Sequence, residues 1–206
     1  SGDEQRVEVP RDSEEFRDIE TIFKADPAPG VKRFYYPDQG TSLLDITKIE
    51  RVQNRDLKDS IDDRRGRIKD LLEKNDVRYE AGVHSRWLFH GAGDADALEG
   101  IIEHPVTGFA PQMGLGRGGT NLWGYGTYFA RDASYSVHAH YCDNCCDAEG
   151  NGMILLCLVE CGLSCVGEGH LRQYPRAPTA AKTLAYSSFV DYISNPEIFV
   201  TMGDQA

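Results

Sequence analysis

Trp87-Leu88-Phe89-His90-Gly91-Ala92-Gly93 decides how this chain is read. An apolar run ends at a histidine and passes into a glycine-containing turn, the pattern of a strand that presents a polar ring at its end. From here on, short apolar runs (Trp87–Phe89, Met153–Val159, Phe189–Ile193, Ile198–Val200) alternate with Gly-, Pro- and Ser-rich stretches. That rhythm belongs to an α+β or mostly-β fold whose chemistry sits on loops between strands.

Upstream the periodicity is helical. Asp12 and Ser13 followed by Glu14 and Glu15 form a helix-start signal, and Phe16, Ile19, Ile22 and Phe23 recur at helical spacing. The Pro- and Gly-containing stretch Asp26–Gly30 stops that helix. Lys48-Ile49-Glu50-Arg51-Val52 alternates like a strand. Asp56–Glu73 is highly charged, with Leu57, Ile61, Ile68, Leu71 and Leu72 on roughly one face, and predicts a surface helix. Residues 1–12 read as a disordered or appended N-terminus and residues 13–206 as one domain.

The 206 residues are enough for a core that needs no metal or disulfide staple. No apolar run approaches the roughly 20 residues of a membrane helix, so no membrane partner is expected. A net charge of −11 argues against binding nucleic acid broadly through its backbone, which takes clustered Lys and Arg. All six cysteines fall between Cys142 and Cys165, and with no secretory signal in view they are expected to stay reduced, in the cytoplasm or nucleus.

Each motif carries an ordinary reading beside the functional one. A lone histidine such as His90 is more often structural than catalytic. Gly114-Leu115-Gly116-Arg117-Gly118-Gly119 satisfies GxGxxG, but Pro105 and Pro111 precede it and no helical pattern follows. A dinucleotide-binding βαβ unit is therefore rejected, leaving a ligand-covering loop or a plain surface loop. Gly124-Tyr125-Gly126-Thr127-Tyr128-Phe129-Ala130 lets the backbone bend beside an aromatic ring with a hydroxyl, although such aromatics are usually core. Cys142 and Cys145 form a CxxC beside His138 and His140, which raises a zinc site. The other half would have to come from Cys157, Cys161 or Cys165, which read instead as small buried side chains on a strand and its following turn, so no metal is expected. In Asn195-Pro196-Glu197-Ile198-Phe199-Val200 the proline opens a strand, and alternation puts Glu197 and Ile198 on opposite faces.

Taken in order, these segments resemble the PARP-type (diphtheria-toxin-like) ADP-ribosyltransferase catalytic domain. Leu88-Phe89-His90-Gly91 resembles its His-Gly motif, Gly126–Ala130 its G-x-Y-F-A motif, and Ala133–Ser136 the segment carrying a nicotinamide-contacting serine. Tyr186–Val200 resembles its final motif, and Ile49–Asn54 a segment of the mono-ADP-ribosylating branch. The resemblance covers about residues 15–206. It implies two packed antiparallel sheets with flanking helices around an NAD⁺ cleft, NAD⁺ being substrate rather than resident cofactor.

By the same resemblance, His90 hydrogen-bonds a ribose hydroxyl, and Gly91 and Ser136 hold the nicotinamide amide. Tyr141 and Tyr128 stack its ring, with Phe129 and Ala130 in the same cofactor-binding motif. Fixing both ends of nicotinamide polarises the glycosidic bond, and its departure leaves an oxocarbenium-like ribosyl group for the acceptor. The acceptor is expected to be a protein, with nucleic-acid ends or the chain itself as alternatives. The expected form is a monomer without DNA-dependent activation.

Polymer-forming members carry a catalytic Glu at a third position, where mono-transferases commonly carry an apolar residue. Counting forward from Ser188 places Ile198 there, and counting backward from Gly203 places Glu197 there. The forward match is dense and favours Ile198, hence single-unit transfer. Glu197 and a polymerase, or an inactive NAD⁺- or ADP-ribose-binding module, are the alternatives. Three departures stand out: Ala92 where the family has Ser or Thr, one extra residue within Gly119–Gly126, and an expected last strand lacking after residue 206.

Overall fold

The computed structural model describes residues 5–25, 44–104, 109, 121–137, 145–175 and 186–202. Among these residues eight strands and four helices follow one another as β1 (Gln5–Glu8), α1 (Glu14–Phe23), β2 (Glu50–Gln53), α2 (Arg55–Glu73), β3 (Ser85–His90), α3 (Ala95–Glu103), β4 (Thr127–Ala130), α4 (Ala133–Ser136), β5 (Leu155–Glu160), β6 (Ser164–Val166), β7 (Ser188–Val190) and β8 (Ile198–Thr201).

Three of the helices begin where a short polar side chain can satisfy an orphan backbone donor. Ser13 accepts from Phe16 N at 3.1 Å, Asn54 from Leu57 N at 3.0 Å and Asp94 from Ala97 N at 2.7 Å. Inward-facing residues then tie each helix down: Phe16 in α1, Ile68 and Leu72 in α2, Leu98, Ile101 and Ile102 in α3. Burial of each such side chain contributes about 1.5–3 kcal/mol.

The class is α+β, with six strands in one sheet ordered β5-β3-β4-β8-β7-β6 and two in another, β1-β2. Every pair is antiparallel except β6–β7. This exception corrects the expectation of purely antiparallel sheets, and it arises because a long stretch separates β6 from β7, room enough for a crossover. Residues Gln5–Glu8 pair with β2, so the disordered start expected to reach residue 12 is ordered from Gln5. Arg6 forms an ion pair with Glu99 on α3, and Val52 of β2 packs against the cluster of Leu98, Ile102 and Cys145, as does Leu155 of β5. The small sheet thereby joins α3 and the edge strand β5.

Register sorts the large sheet's two faces. Tyr128 pairs with Val200 and Ala130 with Ile198, which puts all four on the face that also packs Phe189 and Cys165. Phe129 pairs with Phe199, and these lie on the opposite face with Leu88, Val159, Cys161 and Val190. The helix α2 is fastened to β5 by polar contacts: Arg64 Nε donates to Glu160 O at 3.0 Å, and the buried Glu160 carboxylate accepts from Arg65 Nε at 2.8 Å and Tyr79 Oη at 2.9 Å. With both oxygens partnered, Glu160 tolerates burial that would otherwise be costly.

Candidate active site

The His-Gly motif lies at the end of β3, between the edge strand β5 and β4, and the G-x-Y-F-A motif runs through β4. His90 Nδ1 lies 2.8 Å from Tyr128 O. A carbonyl can only accept, so Nδ1 carries the proton and Nε2 of the neutral ring is left as an acceptor. The ring stands edge-on to Phe109 at 5.4 Å and tilted against Phe129 at 5.5 Å. Thr127 Oγ1 donates to Phe109 O at 2.7 Å and fixes that neighbour in turn. Burial pushes the His90 pKa below its ordinary value, against the opposing pull of the Tyr128 carbonyl. The ring is therefore neutral at neutral pH.

Tyr128 projects from the other face. Its hydroxyl donates to Gly124 O at 2.8 Å and accepts from Trp123 N at 3.0 Å, closing the turn that leads into β4. Gly124 has φ +101°, and a Cβ there would lie 2.7 Å from the Phe189 ring. Gly126 allows β4 and β8 to close up, since a Cβ would meet Thr201 O at 2.5 Å. Both glycines are thus required by the way Tyr128 is presented. Antiparallel pairing of Phe89 with Ala130 carries Gly91 toward Tyr128. The two side chains accordingly flank the rim where β3 ends rather than sharing one face.

The other predicted residues sort by exposure. His90, Gly91 and Tyr128 are partly exposed. Phe129, Ala130, Ser136 and Ile198 are buried. Phe129 and Ala130 are core side chains, Phe129 packing against the His90 ring and Ala130 in the cluster that Tyr128 joins. Ser136 ends α4, which packs on β3 and β4. Tyr141 and the Gly114–Gly119 loop lie outside the described residues.

Glu197 and Ile198 separate as alternation predicts. Ile198 is 1% exposed among Ala130, Phe189 and Val200. The Glu197 side chain turns to Arg131, with Oε1 3.7 Å from Nη2. Arg131 also reaches Asn195 Oδ1 at 2.7 Å and Pro196 O at 3.2 Å, and it is braced by Asp132. Sequence reasoning gave Arg131 no role, because its partners lie some sixty residues further along. Phe109 was missed for a similar reason. The opposite charges of Arg131 and Glu197 are the signal in the sequence that could have linked them, though nothing local pairs the two.

The cysteines Cys145, Cys146, Cys157, Cys161 and Cys165 are all free thiols. Cys157, Cys161 and Cys165 are packed with apolar neighbours on β5, the turn after it and β6. Burial pushes the Cys157 and Cys161 thiols up to about 12 and Cys165 to about 11. They are core residues, as their Val- and Leu-rich setting predicts. Among the described residues no group of three or more His, Cys, Asp or Glu side chains could hold a metal ion.

His90 at the end of β3, bonded to the carbonyl of the G-x-Y-F-A tyrosine on β4, lies within a segment that matches an ADP-ribosyltransferase catalytic domain. Residues 13–170 match the family described as "Poly(ADP-ribose) polymerase catalytic domain", and the chain belongs to it. It is 30% identical over 193 residues to protein mono-ADP-ribosyltransferase PARP10 of Mus musculus, covering 93% of this chain and 17% of that protein. Human protein mono-ADP-ribosyltransferase PARP14 is 29% identical over 167 residues, 81% of this chain and 8% of that protein. A probable poly(ADP-ribose) polymerase of Dictyostelium discoideum is 28% identical over 164 residues, 78% of this chain and 41% of that protein. The chain thus spans less than half the length of each of these relatives. The family match includes His90, Tyr128 and Ser136 but ends before Glu197 and Ile198.

Proposed function

We propose that this chain transfers ADP-ribose from NAD⁺ to an acceptor protein, one unit per site, with release of nicotinamide. The observation that carries this reading is the neutral His90, held at Nδ1 by Tyr128 O and left with an acceptor at Nε2. Such a ring suits a ribose hydroxyl as donor and is fixed in place before the ligand arrives, so little orientation is lost on binding. Gly91, Ser136 and Tyr141 are read as the nicotinamide subsite, with Tyr128 beneath the ring.

In the reaction the bond between the ribose anomeric carbon and the nicotinamide nitrogen breaks, and its electron pair leaves with nicotinamide. An acceptor carboxylate then forms the new carbon–oxygen bond. Such an acceptor arrives already ionised and needs no general base, whereas extending a chain requires deprotonating a ribose hydroxyl. Ile198 has no group for that task, and the nearby Glu197 carboxylate is drawn toward Arg131. Both observations support single-unit transfer. The free thiols fit a reducing compartment, cytoplasm or nucleus.

Incubation with labelled NAD⁺ and resolution of the products by size tests the reading. Discrete single additions are expected. A ladder of lengths would instead favour Glu197 as an elongation base, and absence of label despite NAD⁺ protection against melting would favour a binding module.

A further inference from the structure

The one-residue choice between Glu197 and Ile198 is a question of strand register, because slipping a strand by one position exchanges its faces. The structure contains a device that blocks such a slip. Asp191, at 2% exposure, accepts at one oxygen, Oδ1, from three backbone donors: Tyr192 N at 2.9 Å, Glu197 N at 3.0 Å and Ile198 N at 3.2 Å. From the neighbouring strand end, Arg131 N donates to Glu197 O at 2.8 Å. The Arg131 guanidinium binds Asn195 Oδ1 and Pro196 O, and Asp132 holds that guanidinium from behind through two contacts. Polar groups of all four residues from Asn195 to Ile198 are therefore captured by two side chains and one amide.

The geometry points to Asp191 and Arg131 as positioning residues that fix the start of β8, so that Ile198 lies on the Tyr128 face and Glu197 is turned to Arg131. Neither touches the expected substrate. They act through the backbone of the third-position residue, and this assignment rests on the transfer reaction proposed above. A buried carboxylate that accepts from the start of β8 resists slipping strongly, because a shift of one residue would break the charge-assisted bonds from Glu197 N and Ile198 N together. Asp191 is six and seven residues from two of the groups it binds, so the turn Tyr192–Pro196 is closed at its base.

The test compares Asp191→Ala, Asp191→Asn and Arg131→Gln in the whole chain, by amide hydrogen exchange at Glu197 and Ile198 and by kcat and KM for NAD⁺. Asn retains the Oδ1 acceptor and Ala does not. Loss of hydrogen bonds to a charged group at 1.5–3 kcal/mol each corresponds to about tenfold or more. Asp191→Ala is therefore expected to speed exchange at the two amides by about tenfold or more relative to β3, and to lower kcat by a similar factor. KM is expected to change less than about threefold, since the His90 side of the site is untouched. Asp191→Asn should restore both readouts to within about threefold of the parent.

The proposal is overturned if Asp191→Ala leaves exchange and kcat unchanged per folded molecule, if KM moves instead of kcat, or if Asp191→Asn does no better than Ala. Should Asp191→Ala not fold, Arg131→Gln decides in the same direction with a smaller effect, since its amide bond to Glu197 O remains. If the parent protein transfers nothing, the transfer reading fails separately. The exchange measurement then still decides whether the clamp exists.

Discussion

His90 Nδ1 lies 2.8 Å from the carbonyl of Tyr128, so the two residues that define the site are joined through main chain while their rings leave opposite faces of the sheet. One hydrogen bond sets the tautomer of His90, its orientation and its distance from β4 together. His90→Ala removes the Nε2 acceptor and the ring that packs on Phe109 and Phe129. Transfer should fall by about 100-fold or more, because misplacing a bound ribose by an ångström has that effect. The far-ultraviolet circular dichroism should stay near that of the parent. Full retention of transfer would remove His90 from the site.

Protonation should act in the same place. Burial lowers the His90 pKa in the folded protein, whereas the unfolded chain has the ordinary value of about 6.5. The unfolded state therefore takes up the proton first as pH falls. The stability this ring contributes is fully present above about pH 6.5 and is lost as pH drops through the folded-state value. A urea midpoint measured at about pH 7.5 and about pH 5.5 should fall on acidification, and His90→Gln should shrink the difference. Transfer should show an acid limb as well, since imidazolium has no acceptor at Nε2. An unchanged pH dependence in His90→Gln would assign the acid loss to other groups.

The Tyr128 hydroxyl serves the turn before β4, and its removal is a sensitive probe of that turn. Tyr128→Phe leaves Trp123 N and Gly124 O without this partner, which should cost about 1–2 kcal/mol. Gly124→Ala should cost more, about 2–4 kcal/mol, because φ +101° is strained for alanine and its methyl would meet the Phe189 ring at 2.7 Å. Chemical denaturation of the two variants checks the order. Equal losses would mean that Phe189 moves aside.

Much of this arrangement was legible in the sequence, and the gaps have physical causes. The helix start at Ser13 was visible because Glu14, Glu15 and the Phe16–Phe23 spacing are all local signals. His90 and Tyr128 were visible because each sits in a short motif with glycines that the backbone needs. Helix α3 was not anticipated, although Asp94 caps it, since its nine residues follow directly on the His-Gly turn. The strand β1 was hidden because Gln5–Glu8 is polar and has meaning only once β2 lies beside it. Arg131 and Asp191 were hidden for the same reason. Their partners are brought in by sheet register, and no local pattern encodes that.

Thiol chemistry separates core cysteines from exposed ones. At neutral pH Cys157 and Cys161, pushed up to about 12, and Cys165, pushed up to about 11, remain thiols that react slowly with alkylating agents. Cys146 is exposed. Mass spectrometry after brief iodoacetamide treatment should find Cys146 labelled well before Cys145, Cys157, Cys161 or Cys165. A chelator should leave the melting temperature unchanged, given that Cys145, Cys161 and Cys165 lie in three separate apolar clusters. Slow labelling of Cys146 that a chelator accelerates would instead point to a metal.

Converting the third position back to glutamate should fail for a reason other than chemistry. Ile198 is 1% exposed and faces Ala130, Phe189 and Val200. Ile198→Glu would bury a carboxyl group without a polar partner in that cluster, at a cost of about 3–5 kcal/mol or with the carboxyl held protonated. Either outcome disables it as a base, so no ladder of ADP-ribose should appear. Ile198→Val deletes one methylene and should cost only about 0.5–1.5 kcal/mol, with transfer retained. Denaturation and product sizing of both variants distinguish the cases. If Ile198→Glu were as stable as the parent and produced polymer, the Tyr128 face would have to open to water in the working enzyme, and the apolar packing around Ile198 would be a resting state only.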